Sequence, residues 1–431
     1  MPDRLLLRGG CVLDTDPEPV ARPSTDILVE DGRIAAVAPN LAVADAEIID
    51  AADAIVLPGL VDTHRHVWQS VLRSAAIDVD LAGYRAVVQH RFGARYRPAD
   101  LRLANLLGAL ECLDAGITTV QDFSHIQYSP EHTDAAVEGL RESGIRALFG
   151  YGYPVAHPEA RRPEHARRAR ETHFAASDDL LGMALAPVGP AHRSAEEAIA
   201  DWWLAEELAL PIAVHIGVGP MSARPIELLR GHGLLRPDTL YVHGNSLPDS
   251  ELRRIAESGA AVAITPAIEA RMGHGAPMIG RLRTHGITTG LGVDVVTSVA
   301  GDLFGVMRAA WLTSQLTDGP RFTPADLLRL ATMDGARTLG MDERIGSLAP
   351  GKQADLVLLR TDAVNLVTAP LHDPVGAVVT AAHPGNVDTV LVAGKVRKRN
   401  GKLTHPGLAE LLAKARETAR YLLADQESSA G

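Results

Sequence analysis

Two kinds of hydrophobic pattern alternate along the chain. The first stretch, "LLLRGGCVLD", "DILVEDGRIAAVAP" and "AEIIDAADAIVLPG", carries short apolar runs broken by Gly, Asp and Asn, and "EDGR" has the composition of a hairpin turn. The same character returns near the other end in "GSLAPGKQADLVLLR" (346–360) and "VDTVLVAGKVRKRNGKL" (387–403). The two termini are therefore expected to pair into one small β domain, with the middle of the chain inserted into it.

The middle alternates apolar runs with helical periodicity, the signature of repeated βα units. The expected strands are "IVLPGLVDTH", "TTVQDF" (118–123), "RALFGYG" (146–152), "LGMALAPV" (181–188), "PIAVHIGV" (211–218), "TLYVHGN" (239–245), "AVAITPA" (261–267) and "TTGLGVD" (288–294). Helix-like stretches such as "PADLRLANLLGALECLDAG" lie between them. Eight such units match the size of a (β/α)8 barrel. The expected architecture is an α/β TIM barrel over residues 58–344, with a β-sandwich domain split between 1–57 and 345–404. A C-terminal helix and tail over 405–431 is expected to dock on the protein or on a second subunit.

A length of 431 residues accommodates one barrel-sized domain plus a smaller one. Charge narrows the partners: 42 basic against 53 acidic residues give −11, with no long basic block, which disfavours nucleic acid and anionic membranes. Only Cys11 and Cys112 occur, too few for a disulfide framework or a cysteine metal cluster, so a reducing cytoplasm is the expected compartment. The N-terminal apolar run is far shorter than a secretory core, and no segment reaches the roughly 18 apolar residues of a spanning helix.

In a parallel barrel the chemistry sits at the C-terminal strand ends. Four expected strands end in metal-ligand residue types: the first in His64 and His66, the fifth in His215, the sixth in His243 and the eighth in Asp294. Residues i and i+2 of a strand share a face, so His64 and His66 can reach one ion together, whereas adjacent histidines would point apart. Imidazoles and a carboxylate with a position left for water compose a catalytic zinc or ferrous site rather than a closed structural one. A divalent ion lowers the pKa of its water to about 7, making hydroxide accessible at neutral pH. His243 then serves best as proton shuttle and orienter. Asp294 is able to bind the ion, take the water's proton, or do both in turn. Singly, each residue also has an ordinary structural role open to it, such as a polar strand position or a helix cap; their placement at four strand ends together makes the metal site.

The segments "PGLVDTHRH", "VHIG", "YVHGN", "LGVD" and "IGSLAPGKQADLVLL" resemble the amidohydrolase superfamily, in its branch of cytosine deaminase-like and triazine-hydrolase (chlorohydrolase) enzymes. The resemblance spans nearly the whole chain. It implies one divalent ion, zinc or iron, held by His64, His66, His215 and Asp294, with His243 beside the metal water. It implies hydrolysis of a C–N or C–halogen bond on a cyclic or heteroaromatic nitrogen compound, a small-molecule substrate, and a dimer or larger homo-oligomer. Trp68 and Gln69, in the segment that follows the first strand, are implied to line the substrate pocket; core packing and a helix start are their ordinary roles.

One position departs from the pattern. Deaminases of this branch carry His-x-x-Glu on the fifth strand, where the glutamate shuttles a proton; here Val218 stands in its place. Glu269, in "TPAIEARMGHG" just past the seventh strand, is the expected substitute acid, on a loop facing the barrel mouth. Asp122 and His125, in "TTVQDFSHI", are further mouth residues. The departure leaves a second reaction class open: amide or carbamate hydrolysis, or a non-hydrolytic lyase or isomerase step. A silent binding scaffold is disfavoured, because every ligand residue is kept. The Arg-rich run at 159–171 is expected to be a solvated helix face, and Trp202 and Trp203 to pack a barrel helix.

Overall fold

The computed structural model describes residues 4–176, 180–218, 224–317 and 319–424. Eight parallel strands form the barrel in chain order: Leu60–Arg65, Ile117–Ser124, Arg146–Tyr151, Leu181–Leu185, Ile212–Ile216, Thr239–His243, Ala261–Ile264 and Thr289–Leu291. These are the eight expected runs. A parallel bridge between Arg65 and Asp294 joins the last to the first. The interior is filled by small and medium side chains, among them Phe123, Ala186, Ala213, Val242 and Ala263, so the barrel is a packed core and its chemistry is confined to the mouth.

The termini meet in a second, nine-stranded sheet. Arg4–Asp14 pairs antiparallel with Val20–Glu30 and parallel with Ala54–Pro58, which in turn pairs antiparallel with Leu356–Arg360. The "EDGR" hairpin closes with Glu30 opposite Arg33. Hydrogen bonding runs continuously through this sheet, around a separate small core that includes Leu7, Ile27, Val56, Leu356 and Leu391.

The run "IVLPGLVDTH" is two strands, not one. Ala54–Pro58 belongs to the terminal sheet and Leu60–Arg65 to the barrel. The switch falls at Gly59, where an added Cβ would sit 1.9 Å from Thr118 Oγ1, so only glycine lets the chain pass against the second barrel strand. The β segment near the C-terminus is also interrupted. Helix Pro374–Thr380 leaves the sheet and returns to the barrel, where Arg308 Nη1 on helix Leu303–Leu316 donates to Ala382 O at 2.9 Å.

The two parts are joined by a buried ion pair. Arg146, on the third barrel strand, donates from Nε to Asp355 Oδ2 at 2.8 Å, and both side chains are at most 2 % exposed. The C-terminal helix Leu408–Leu423 docks on this chain: Leu411, Ala415 and Leu422 are buried, Thr418 Oγ1 donates to Asp100 Oδ1 at 3.1 Å, and Arg95 donates to the last carbonyls. The arginine-rich run forms helix Pro163–His173, whose Arg167 and Arg168 pair with Glu207 and Asp134 on its outer face. Trp202 packs inward as expected, but its neighbour Trp203 is 54 % exposed, because adjacent helical positions point about 100° apart. No helix among the described residues is long and apolar enough to cross a membrane.

Candidate metal centre and active-site cavity

His64, His66 and Asp294 form one backbone-locked unit. Asp294 N donates to His64 O at 2.8 Å, and His66 N donates to Asp294 O at 2.9 Å. Below them the buried Asp62 accepts from the backbone N–H groups of His64 (3.3 Å) and Val293 (3.1 Å), tying the same two strands together. Gly292 allows the approach: an added Cβ there would lie 2.7 Å from His64 O and 2.9 Å from His64 Cβ.

The side chains converge. Asp294 Oδ1 is 3.4 Å from both His64 Nε2 and His66 Nε2, and His215 Nε2 is 3.2 Å from His64 Nε2. His243 Nε2 lies 3.7 Å from Asp294 Oδ2. Within this cluster the ligand atoms of His64, His66 and Asp294, and those of His64, His215 and His243, each lie within 4.8 Å of one another. His66 Nδ1 must donate to the Phe123 carbonyl at 2.8 Å, which leaves its Nε2 lone pair bare and aimed into the cluster. Burial, reinforced by the neighbouring His64, pulls the His66 imidazole down to about 3, and burial takes His215 well below its ordinary range. Burial acts to raise Asp294, but the hydrogen bond and charge of His64, with His243 and His66, hold it well below the usual carboxylate range. Bare lone pairs on His66 and His215 beside an ionised Asp294 are the protonation states that a divalent cation needs. The donor set fits one such ion.

Two residues of the cluster have left-handed backbones, His243 with φ 70° and Asp294 with φ 69°. Such conformations cost a non-glycine residue on the order of 1 kcal/mol or more and concentrate at functional sites.

Glu269 is not where the mouth-loop expectation puts it. Pro266 starts a helix, Pro266–Arg271, at the end of the seventh strand, and this turn folds Glu269 back beneath the cluster, where it is fully buried. Its carboxylate accepts from Thr265 N (2.9 Å) and Asn245 Nδ2 (3.1 Å) and lies 3.4 Å from His243 Nδ1. Burial acts to lower His243, but Glu269 and Asp294 raise it above its usual value. Glu269 thus holds His243 from behind and does not face the cavity.

Above the cluster opens a cavity of about 190 Å³, walled by His66, His125, His215, His243, Asp294 and Val218 among others. It is smaller than the ~300–1,000 Å³ pockets that take drug-sized ligands. Of the four residues expected to meet substrate, only His125 reaches this wall. Trp68 and Gln69 lie behind it in a buried turn, Val67–Leu72; Trp68 Nε1 donates to His125 Nδ1 at 3.3 Å, and Gln69 bonds the Tyr84 hydroxyl. Asp122 is buried beneath the same turn, accepting from Val67 N at 3.1 Å. Strand alternation explains the split: Asp122 points away from the face that carries Phe123 and, two residues on and past the strand end, His125, both of which line the cavity.

The sequence reading missed Tyr84, Arg85, Gln89, His192 and His274, all on the cavity wall. The first three lie on or beside a widened helical turn, Arg85–Phe92, a form common at functional sites. His192 and His274 were visible as histidines shortly after the fourth and seventh strands, the only signal available for them.

A parallel barrel whose mouth gathers imidazoles and one carboxylate at the floor of a cavity defines a metal-dependent hydrolase. The sequence matches the amidohydrolase family over residues 55–397, and the chain belongs to that family. It is 31 % identical, over 98 % of both chains, to a 5-methylthioadenosine/S-adenosylhomocysteine deaminase of Nitratidesulfovibrio vulgaris. Among solved structures it is similar to a zinc-bound adenosine deaminase from Xanthomonas campestris (TM-score 0.86, 27 % identity, 97 % of this chain and 98 % of that one). It is also similar to the atrazine chlorohydrolase TrzN of Arthrobacter aurescens complexed with zinc (TM-score 0.83, 25 % identity, 96 % and 100 %). The protein is a hydrolase of carbon–nitrogen bonds other than peptide bonds.

Proposed function

We propose that the enzyme releases ammonia, an amine or a halide from a ring carbon of a small heteroaromatic compound. His64, His66, His215 and Asp294 would hold one divalent ion, and the nitrogen-rich donor set favours zinc. Bound there, the ion would supply a nucleophilic water at neutral pH. His243, held at Nδ1 by Glu269, presents Nε2 to the cavity beside Asp294 and moves the proton there. Val218 contributes an apolar wall that excludes bulk water from the reacting face. The purine-type deaminases and the triazine chlorohydrolase among the similar proteins support a ring substrate. The reading extends to a cytoplasmic homo-oligomer, supported by the unpaired Cys11 and Cys112 for the compartment and by family resemblance for the assembly.

The observation that carries the proposal is Asp294 Oδ1 standing 3.4 Å from both histidines of the first strand. Plasma-emission metal analysis with turnover on a purine, pyrimidine and triazine panel tests it. About one equivalent of zinc with release of ammonia or chloride is expected; a protein with neither metal nor turnover overturns it.

Val218 in the cavity wall favours a second reading, an amide or carbamate hydrolase or a non-hydrolytic lyase or isomerase that needs no acid at this place. Turnover in ¹⁸O-water tests the non-hydrolytic branch, which leaves the product unlabelled, and cleavage of an acyclic amide or carbamate in place of a ring substituent identifies the other.

A further inference from the structure

The cavity's electrostatics oppose those of the chain. The protein carries a net charge of −11, yet the cavity wall presents two arginines, Arg85 and Arg193, and Asp294 is its one carboxylate among the described residues. Asp294 is already engaged with His64, His66 and His243 at the floor. Arg85 is half-buried and forms no ion pair with the described residues. Among the described residues Arg193 pairs only with Glu197, at a loose 3.9 Å. The 219–223 segment that follows Val218 carries no charged residue. A half-buried arginine in a cavity wall, without a counter-ion among the described residues, is a site for an anion.

A second observation points to the same ligand. His274 lines the cavity and is 5 % exposed, yet neither ring nitrogen has a hydrogen-bond partner among the described residues. Burial holds it neutral, so it offers one donor and one acceptor. Its ring stands edge-on to His243, 4.9 Å between centroids, which places it beside the reacting end. Buried polar groups of this kind are left open in a protein where something else completes them.

We infer that the substrate is anionic: a single-ring or compact heteroaromatic compound bearing a carboxylate or ionised oxygen that Arg85 binds at the mouth, while His274 hydrogen-bonds the ring. The inference rests on the hydrolase reading for the ring and for its reacting carbon, and on the wall residues for the charge. It accounts for Val218, because a glutamate in that wall would add a second carboxylate facing the substrate's anion.

The test is binding rather than turnover. Matched carboxylate and carboxamide forms of pyridine, pyrimidine and purine are titrated calorimetrically into the zinc-loaded, full-length protein. At least one ring binds about 10-fold or more tighter as the carboxylate, the effect of one charge-assisted hydrogen bond. Arg85→Gln abolishes that preference and Arg85→Lys keeps part of it, while both retain the wild-type Tm. His274→Phe weakens both members of the pair about 5-fold. The inference is overturned if no pair is discriminated, or if the preference survives in Arg85→Gln, which would assign the carboxylate to Arg193 or to the ion instead. An unchanged affinity in His274→Phe overturns its part. A carboxylate preference without any ring hydrolysis would leave the anion site standing and defeat the hydrolase reading; hydrolysis of neutral rings without preference would do the reverse.

Discussion

Replacing Glu269 by glutamine isolates the group that holds His243. The buried carboxylate takes three contacts: Thr265 N at 2.9 Å, Asn245 Nδ2 at 3.1 Å and His243 Nδ1 at 3.4 Å. All three partners are donors when His243 carries its proton on Nδ1. A glutamine of the same shape has one accepting oxygen and one donating NH₂, so a donor now meets a donor, costing about 1–3 kcal/mol. Because one oxygen serves both Thr265 N and His243 Nδ1, glutamine keeps its oxygen there, turns its NH₂ toward Asn245 Nδ2, and removes the negative charge that holds the His243 proton on Nδ1 and leaves Nε2 bare. Losing such an orienting partner lowers activity about 10–100-fold, equivalent to ~1.4–2.7 kcal/mol of barrier. Steady-state kinetics with metal analysis is the assay. kcat falls by that factor, KM stays within about twofold, and zinc content is unchanged because the four proposed ligands are untouched. An unchanged kcat at full zinc content would refute the positioning role, and loss of zinc would show that Glu269 supports the ligands instead.

Gly292→Ala forces the eighth strand away from the first, since the new Cβ meets the His64 backbone at 2.7 Å. Zinc affinity measured against a competing chelator drops about tenfold or more with the fold retained, and an unaltered affinity would show that the close approach is immaterial. Arg146→Ala leaves Asp355 buried without its cation, at a cost of about 3–5 kcal/mol. Scanning calorimetry then shows the Tm lowered by several degrees with zinc content kept; a change under about 1 kcal/mol would mean that this pair does not join the terminal sheet to the barrel.

Which parts could be read in advance follows from the range of the forces involved. The eight barrel runs and the His-x-His spacing were legible because strand periodicity is local: a two-residue repeat sets which side chains share a face before any tertiary contact forms. The terminal strands were legible for the same reason, and their meeting followed from their leaving the barrel run uninterrupted. Glu269 was misread because its direction depends on the helix turn begun by Pro266, which tucks the side chain under His243. Trp68 and Gln69 are placed at the mouth by the family resemblance and Asp122 by its position at the end of the second strand, whereas the Val67–Leu72 turn buries all three behind His125. Arg85 and His274 escaped notice because no local spacing links them to the metal ligands.

The sequence by itself determined the chemistry available: which residue types end the strands, that a proton-carrying glutamate is absent at 218, and that apolar runs alternate with helices often enough to close a barrel. Only the tertiary structure decided direction and company. It locked Asp294 to the His64 and His66 backbone, set Glu269 behind His243, and brought Arg85 and His274, 189 positions apart in the numbering, to one cavity. Periodicity is a property of neighbouring peptide units, whereas convergence depends on barrel closure and on the packing of loops over its mouth, which no stretch of chain encodes alone.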